Sequence, residues 1–158
     1  MVRRTEVTVI EVGDAPADFE LQDHEGRTVR WADYRGKPVV VFFYPRADTP
    51  GCTKEACAFR DLSTAFAAKG AAVLGVSADT VKRQAAFHAK YALNLTLLAD
   101  PDKKILGPWG VFGEKKMYGK PVMGIVRSTF LFDAEGRVTR RWSPVKVDGH
   151  VDAVLAAL

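Results

Sequence analysis

The 158-residue chain is 47% hydrophobic and 27% charged, the composition of an ordinary globular domain, and it is long enough to bury a core without disulfide or metal staples. Lysine plus arginine (23) exceed aspartate plus glutamate (19), a formal charge of +4, but the basic residues stand in short groups broken by acids (Arg3 and Arg4, Lys103 and Lys104, Lys115 and Lys116, Arg140 and Arg141), which argues against nucleic-acid binding. No apolar run approaches the ~18 residues of a membrane span, and the N-terminal MVRRTEVTVIEVGD lacks the apolar core of a secretory signal, so the expectation is one cytoplasmic domain over residues 1–158 with no membrane partner.

Phe19 and Leu21, then Val29 and Trp31, alternate with polar residues around Asp23 to Gly26 and predict an N-terminal hairpin. PVVVFFY at 38–44 is a continuous apolar run of strand length, as expected of a strand buried on both faces. Phe59, Leu62 and Phe66 recur at helical spacing up to Gly70. AAVLGVS at 71–77 reads as a second buried strand. Asp79 or Thr80 then caps a helix running to about Tyr91. LTLLAD at 95–100 is a third strand, with Pro101 opening a short helix towards Leu106. Glycines and prolines from Leu106 to Gly124 predict turns, STFLF at 128–132 and VTRRW at 138–142 predict an antiparallel hairpin, and HVDAVLAAL closes the chain as an amphipathic helix. The sum is an α/β fold: a mixed sheet covered by helices on both faces.

The informative stretch joins the first buried strand to the first long helix: YPRADTPGCTKEAC, residues 44–57. Sites in α/β sheets gather beyond the carboxyl ends of strands. Thr49 can cap the helix with Pro50 at its first position, which places Cys52 in the first turn. The free N–H groups and the positive dipole end there favour a thiolate, so Cys52 is a candidate nucleophile. Position alone leaves open the alternative of a small buried residue in a turn, and Cys57, beside Phe59 on a helical stretch, reads as core filler unless Cys52 is reactive.

The segment resembles the active site of peroxiredoxins of the peroxiredoxin Q group, also called bacterioferritin comigratory proteins. The family's Pro-x-x-x-Thr-x-x-Cys pattern falls on Pro45, Thr49 and Cys52, and the group's second cysteine falls on Cys57. The likeness continues through VGDAPADFEL, VLGVSADT, LTLLADPDKK and YGKPVMGIVRSTFLFDAEG, nearly the whole chain. It implies a thioredoxin-like fold and a thiol peroxidase acting on hydrogen peroxide and organic hydroperoxides. In it Cys52 would be oxidised to a sulfenic acid and Cys57 would resolve it as an intramolecular disulfide. A thioredoxin or similar dithiol would then restore the thiols, with no metal, flavin or haem, in a monomer. The family's active-site arginine matches Arg127, and its glutamate three positions after the cysteine matches Glu55. Thr49 would orient peroxide and Pro45 would screen the sulfur. Ala47 departs from the family by replacing a common acidic residue.

Two other readings compete. A thioredoxin-type electron carrier wants C-x-x-C, whereas four residues separate these cysteines. A structural zinc module wants four ligands in close pairs, whereas His24, His88 and His150 are scattered along the sequence and expected to be solvated or satisfied by ordinary hydrogen bonds.

Overall fold

A computed structural model describes residues 10–117 and 119–158. The basic pair Arg3 and Arg4 and the rest of the N-terminal stretch through residue 9 lie outside the described residues.

The N-terminal hairpin forms as expected from β1 (Glu20–Asp23) and β2 (Thr28–Arg30), and Trp31 opens a short 3-10 turn, Trp31–Tyr34. The apolar runs become β3 (Val39–Phe43), β4 (Ala72–Ser77) and β5 (Thr96–Ala99). They lie parallel and adjacent at the centre of a seven-stranded sheet ordered β2-β1-β5-β4-β3, which is then continued by β8 (Ser128–Phe132) and β9 (Val138–Trp142). All five residues of β3 are buried, which is why its sequence shows no polar alternation.

The helical stretch after β3 is broken at Leu62 into α1 (Pro50–Asp61) and α2 (Ser63–Ala68). Leu62 leaves helical geometry at φ −102°, ψ 12°, although the apolar spacing runs straight through it. α3 (Val81–Lys90) starts at Thr80, whose hydroxyl accepts from the Arg83 N–H at 3.2 Å. Both crossovers, β3 to β4 and β4 to β5, step the same way across the sheet, so right-handed connections put α1, α2 and α3 on one face. The core bears this out. Phe59, Phe66 and Phe87 pack with Val40, Phe42, Leu97 and, from α4 (His150–Ala156), Val151 and Val154.

The opposite face is covered by the 3-10 turn and by the segment after β5, through Trp31, Ile105, Leu106 and Trp109 packed on Val41, Phe43 and Phe130. The helix expected from Pro101 to Leu106 is absent, replaced by turns. Lys103 takes a left-handed backbone, φ 58°, that a helix cannot contain. The Asp100 carboxylate accepts from the N–H groups of Lys104, Ile105 and Leu106 at 2.6–3.1 Å, which satisfies them outside a helix. The turns expected between Leu106 and Gly124 contain a second, two-stranded sheet, β6 (Phe112–Met117) and β7 (Lys120–Ile125).

Candidate active site

The loop 44–49 leaves the carboxyl end of β3 and enters α1 with Thr49 in extended geometry (φ −103°, ψ 157°) and Pro50 at the first helical position. The buried residues of α1 are Cys52, Glu55, Ala56 and Phe59, a stripe at i, i+3, i+4 and i+7 that faces the sheet. Cys52 therefore turns inward, 1% exposed, and Glu55 follows it inward with no exposed surface. Cys57 falls off the stripe and is half-buried, and both thiols are free.

Arg127 is distant in sequence but close in space for a topological reason. β8 runs antiparallel to β3 with Ser128 opposite Phe43, so the residue before β8 arrives where β3 ends. Its Nη2 lies 3.4 Å from Cys52 Sγ and its Nη1 donates to Glu55 Oε1 at 2.8 Å. The guanidinium is thus shared between a sulfur and a carboxylate. Burial acts to lower the Arg127 pKa, but the facing Cys52 and Glu55 outweigh it and raise it, fixing the positive charge. Glu55 meets the reverse balance: burial pushes its pKa to about 7 against the pull of Arg127. Its second oxygen has no hydrogen-bond partner among the described residues. Gly51 lets the guanidinium in, because a Cβ there would stand 3.0 Å from Arg127 Nη2.

Thr49 begins the helix by backbone position, but its hydroxyl makes no cap. It donates to the Arg46 carbonyl at 2.8 Å, which leaves its oxygen lone pairs turned to other donors. Pro45 is half-buried at the same loop. The structure brings together Cys52, Glu55 and Arg127 by direct contact, and Pro45 and Thr49 by the loop that precedes them.

Other groups also hold this loop, among them Asp79, which the sequence suggested only as a possible cap for α3. Asp79, just past β4, accepts from the Ala47 N–H at 2.7 Å, from Ser77 Oγ at 2.7 Å and from Arg83 Nε at 3.0 Å. Tyr44, fully buried, donates to Gln84 Oε1 at 2.6 Å, and Gln84 Nε2 donates to the Leu98 carbonyl at 2.9 Å. A polar Gln84 at a core position of α3 was the available signal. The histidines are satisfied by ordinary contacts: His24 accepts from the Leu97 N–H at 3.3 Å, and His150 pairs with Thr129 Oγ1 at 2.8 Å. His24 and His88, far apart in sequence, stack at 3.7 Å between ring centroids. Among the described residues no three His, Cys, Asp or Glu side chains are arranged to hold a metal ion.

A buried cysteine in a helix's first turn, with a guanidinium on its sulfur, is equipped to react as a thiolate with an electrophile whose leaving atom gains negative charge. The match to known proteins is extensive. The model of the AhpC/TSA family matches residues 12–141. Peroxiredoxin Bcp of Bacillus subtilis is 45% identical over 149 residues, covering 94% of this chain and 95% of that protein. A putative peroxiredoxin of Mycobacterium tuberculosis is 46% identical over 147 residues, covering 93% and 94%. The bacterioferritin comigratory protein of Xanthomonas campestris, whose alkyl peroxide reduction activity was studied through trapped intermediate/ligand complex structures, superimposes with a TM-score of 0.87 at 43% identity over 95% of this chain and 96% of that one. The chain therefore belongs to the AhpC/TSA family, as a thiol-dependent peroxidase of the peroxiredoxin Q group that works through a cysteine disulfide.

Proposed function

We propose that Cys52 is the peroxidatic cysteine and Cys57 its resolving partner, in a single-domain monomer that reduces hydrogen peroxide and organic hydroperoxides in the cytoplasm. The observation that carries this is the 3.4 Å approach of Arg127 Nη2 to Cys52 Sγ at the head of α1. The Cys52 thiolate attacks one peroxide oxygen, the S–O bond forms as O–O breaks, and the departing alkoxide or hydroxide takes up a proton. Arg127 and the free N–H groups of the first turn stabilise the charge on both oxygens, Thr49 orients the peroxide through its hydroxyl, and Pro45 screens the sulfur. Glu55 holds Arg127 in place. Cys57 thiolate then attacks the sulfenic sulfur, S–S forms, and hydroxide leaves to become water. A thioredoxin-type dithiol returns two electrons by exchange, so the scheme draws on no cofactor.

Single-turnover peroxide consumption tests the assignment. Cys52→Ser should consume none, because an alcohol is hardly ionised at neutral pH, whereas Cys57→Ser should react once and stop as sulfenic acid or oxidise further. Equal rates for Cys52→Ser and the parent would refute it.

A further inference from the structure

Tyr91, which closes α3, is tied to both ends of the segment that carries the cysteines. Its phenol donates to Asp48 Oδ1 at 2.5 Å, and the adjacent Lys90 ammonium reaches Asp48 Oδ2 at 2.8 Å. Its carbonyl accepts from Arg60 Nη1 at 2.7 Å. Asp48 precedes Cys52 by four residues and Arg60 follows Cys57 by three. Asp48 has a left-handed backbone, φ 60°, which a short polar side chain tolerates at some cost, so its side-chain ties hold a conformation that the backbone alone disfavours. Tyr91 itself is a fixed post, edge-on to Phe87 at 5.6 Å on a helix that Gln84 ties to β5.

The two cysteines cannot join across an intact α1. Five residues on an ideal helix separate Cα atoms by about 8.6 Å, beyond the ~7 Å that a disulfide spans. The segment between Asp48 and Arg60 must remodel while both of its flanks are held by one residue. We propose that Tyr91 is a positioning residue for the redox cycle: by bracing both flanks it sets the balance between the helical form, in which Cys52 meets Arg127, and the unwound form, in which Cys57 reaches the sulfenic sulfur. The proposal rests on the Cys52–Cys57 disulfide described above. In the helical form a second peroxide can transfer an oxygen to the sulfenic sulfur, its O–O bond breaking and alcohol or water leaving, to give sulfinic acid. In the unwound form Cys57 displaces hydroxide first. A firm brace favours the first fate and a slack one the second.

Tyr91→Phe removes the hydroxyl tie and keeps the ring against Phe87. Rapid-quench alkylation and mass spectrometry on the full chain should show the disulfide forming about five- to tenfold faster, the effect of one charge-assisted hydrogen bond. The sulfinic fraction at a given peroxide dose should fall to match. The second-order constant of Cys52 with peroxide should stay within about twofold, because the helical form remains dominant. Asp48→Gly, which accepts the left-handed backbone, should behave alike, and Asp48→Asn, whose amide oxygen still accepts from the phenol, should return towards the parent rate. Disulfide formation within about twofold of the parent in Tyr91→Phe, or slower, overturns the brace. So does a fall in the peroxide constant that tracks lost thermal stability, which marks general loosening. Failure of the parent itself to form a Cys52–Cys57 disulfide would instead overturn the reading of Cys57.

Discussion

Replacing Glu55 by glutamine should make the reduced protein more stable and slower at once. The carboxyl is fully buried, one oxygen accepts from Arg127, and the other has no partner among the described residues. Burial lifts its pKa from 4.5 to about 7 in spite of Arg127. An acid whose folded pKa exceeds its unfolded one stabilises the fold fully below the unfolded value and loses that contribution as pH rises through the folded value. The window here runs from 4.5 to about 7, and at 1.36 kcal/mol per unit the loss comes to roughly 3 kcal/mol. Glutamine never ionises, and its amide oxygen can still accept from Arg127. Urea unfolding of the reduced proteins should therefore show the variant ahead of the parent by a margin that widens by about 2 kcal/mol between pH 5 and pH 8. A neutral acceptor grips the guanidinium less firmly than a carboxylate, by about 1 kcal/mol, so the peroxide reaction should slow by about fivefold. Parallel pH–stability curves for the two proteins would refute the reasoning, since Glu55 would then not titrate in this window.

Arg127→Ala should slow the reaction of Cys52 with peroxide by about a hundredfold, the scale of one lost oxyanion donor. Lysine should recover only part, lacking the planar fork that serves sulfur and carboxylate together, and an unchanged second-order constant in the alanine variant would show that the guanidinium is idle. Gly51→Ala should push Arg127 Nη2 off the sulfur, since the new methyl would stand 3.0 Å from it; about a tenfold slower reaction with little change in melting temperature is expected, because a flexible side chain yields more easily than backbone. Oxidation should strip amide-exchange protection from about residue 51 to residue 60, where helical hydrogen bonds must open for the sulfurs to meet. Identical protection in both forms, with the disulfide confirmed by mass spectrometry, would contradict that opening.

The central strands were legible because burial on both faces leaves a continuous apolar run, as in Val39–Phe43. α3 was legible because Thr80 announces its cap. The β6–β7 ribbon was not. FGEKKM and KPVMGI alternate poorly, with Ile125 buried in the core and Phe112 packed against it at one end of the ribbon, so no apolar pattern marks them. The break at Leu62 hides inside unbroken helical spacing, and the failure of a helix after Pro101 turns on one left-handed residue, Lys103, together with the acceptor capacity of Asp100. At the site, Cys52 could be placed in a first helical turn from Thr49 and Pro50 alone. Arg127 could not be singled out from local pattern, since its arrival depends on the β3–β8 register; only the resemblance pointed to it. The loop's tethers, Asp79, Lys90 and Tyr91, carry no local signature of that role, because each reaches the loop across elements.

The division of the core by the sheet also divides the chain's fluorophores. Trp31 and Trp109 sit on the face away from α1, edge-on to each other at 6.0 Å and both against Phe132. Trp142 alone belongs to the helix-covered side, where Arg140 lies over its ring at 4.7 Å and His150 meets it edge-on at 5.5 Å. A change in intrinsic emission on oxidation of this protein should therefore come from Trp142, against a steady background from the other two. Exchanging Trp142 for phenylalanine would remove the tryptophan signal of the cycle, whereas exchanging Trp31 and Trp109 would leave a single-tryptophan reporter of the α1 transition.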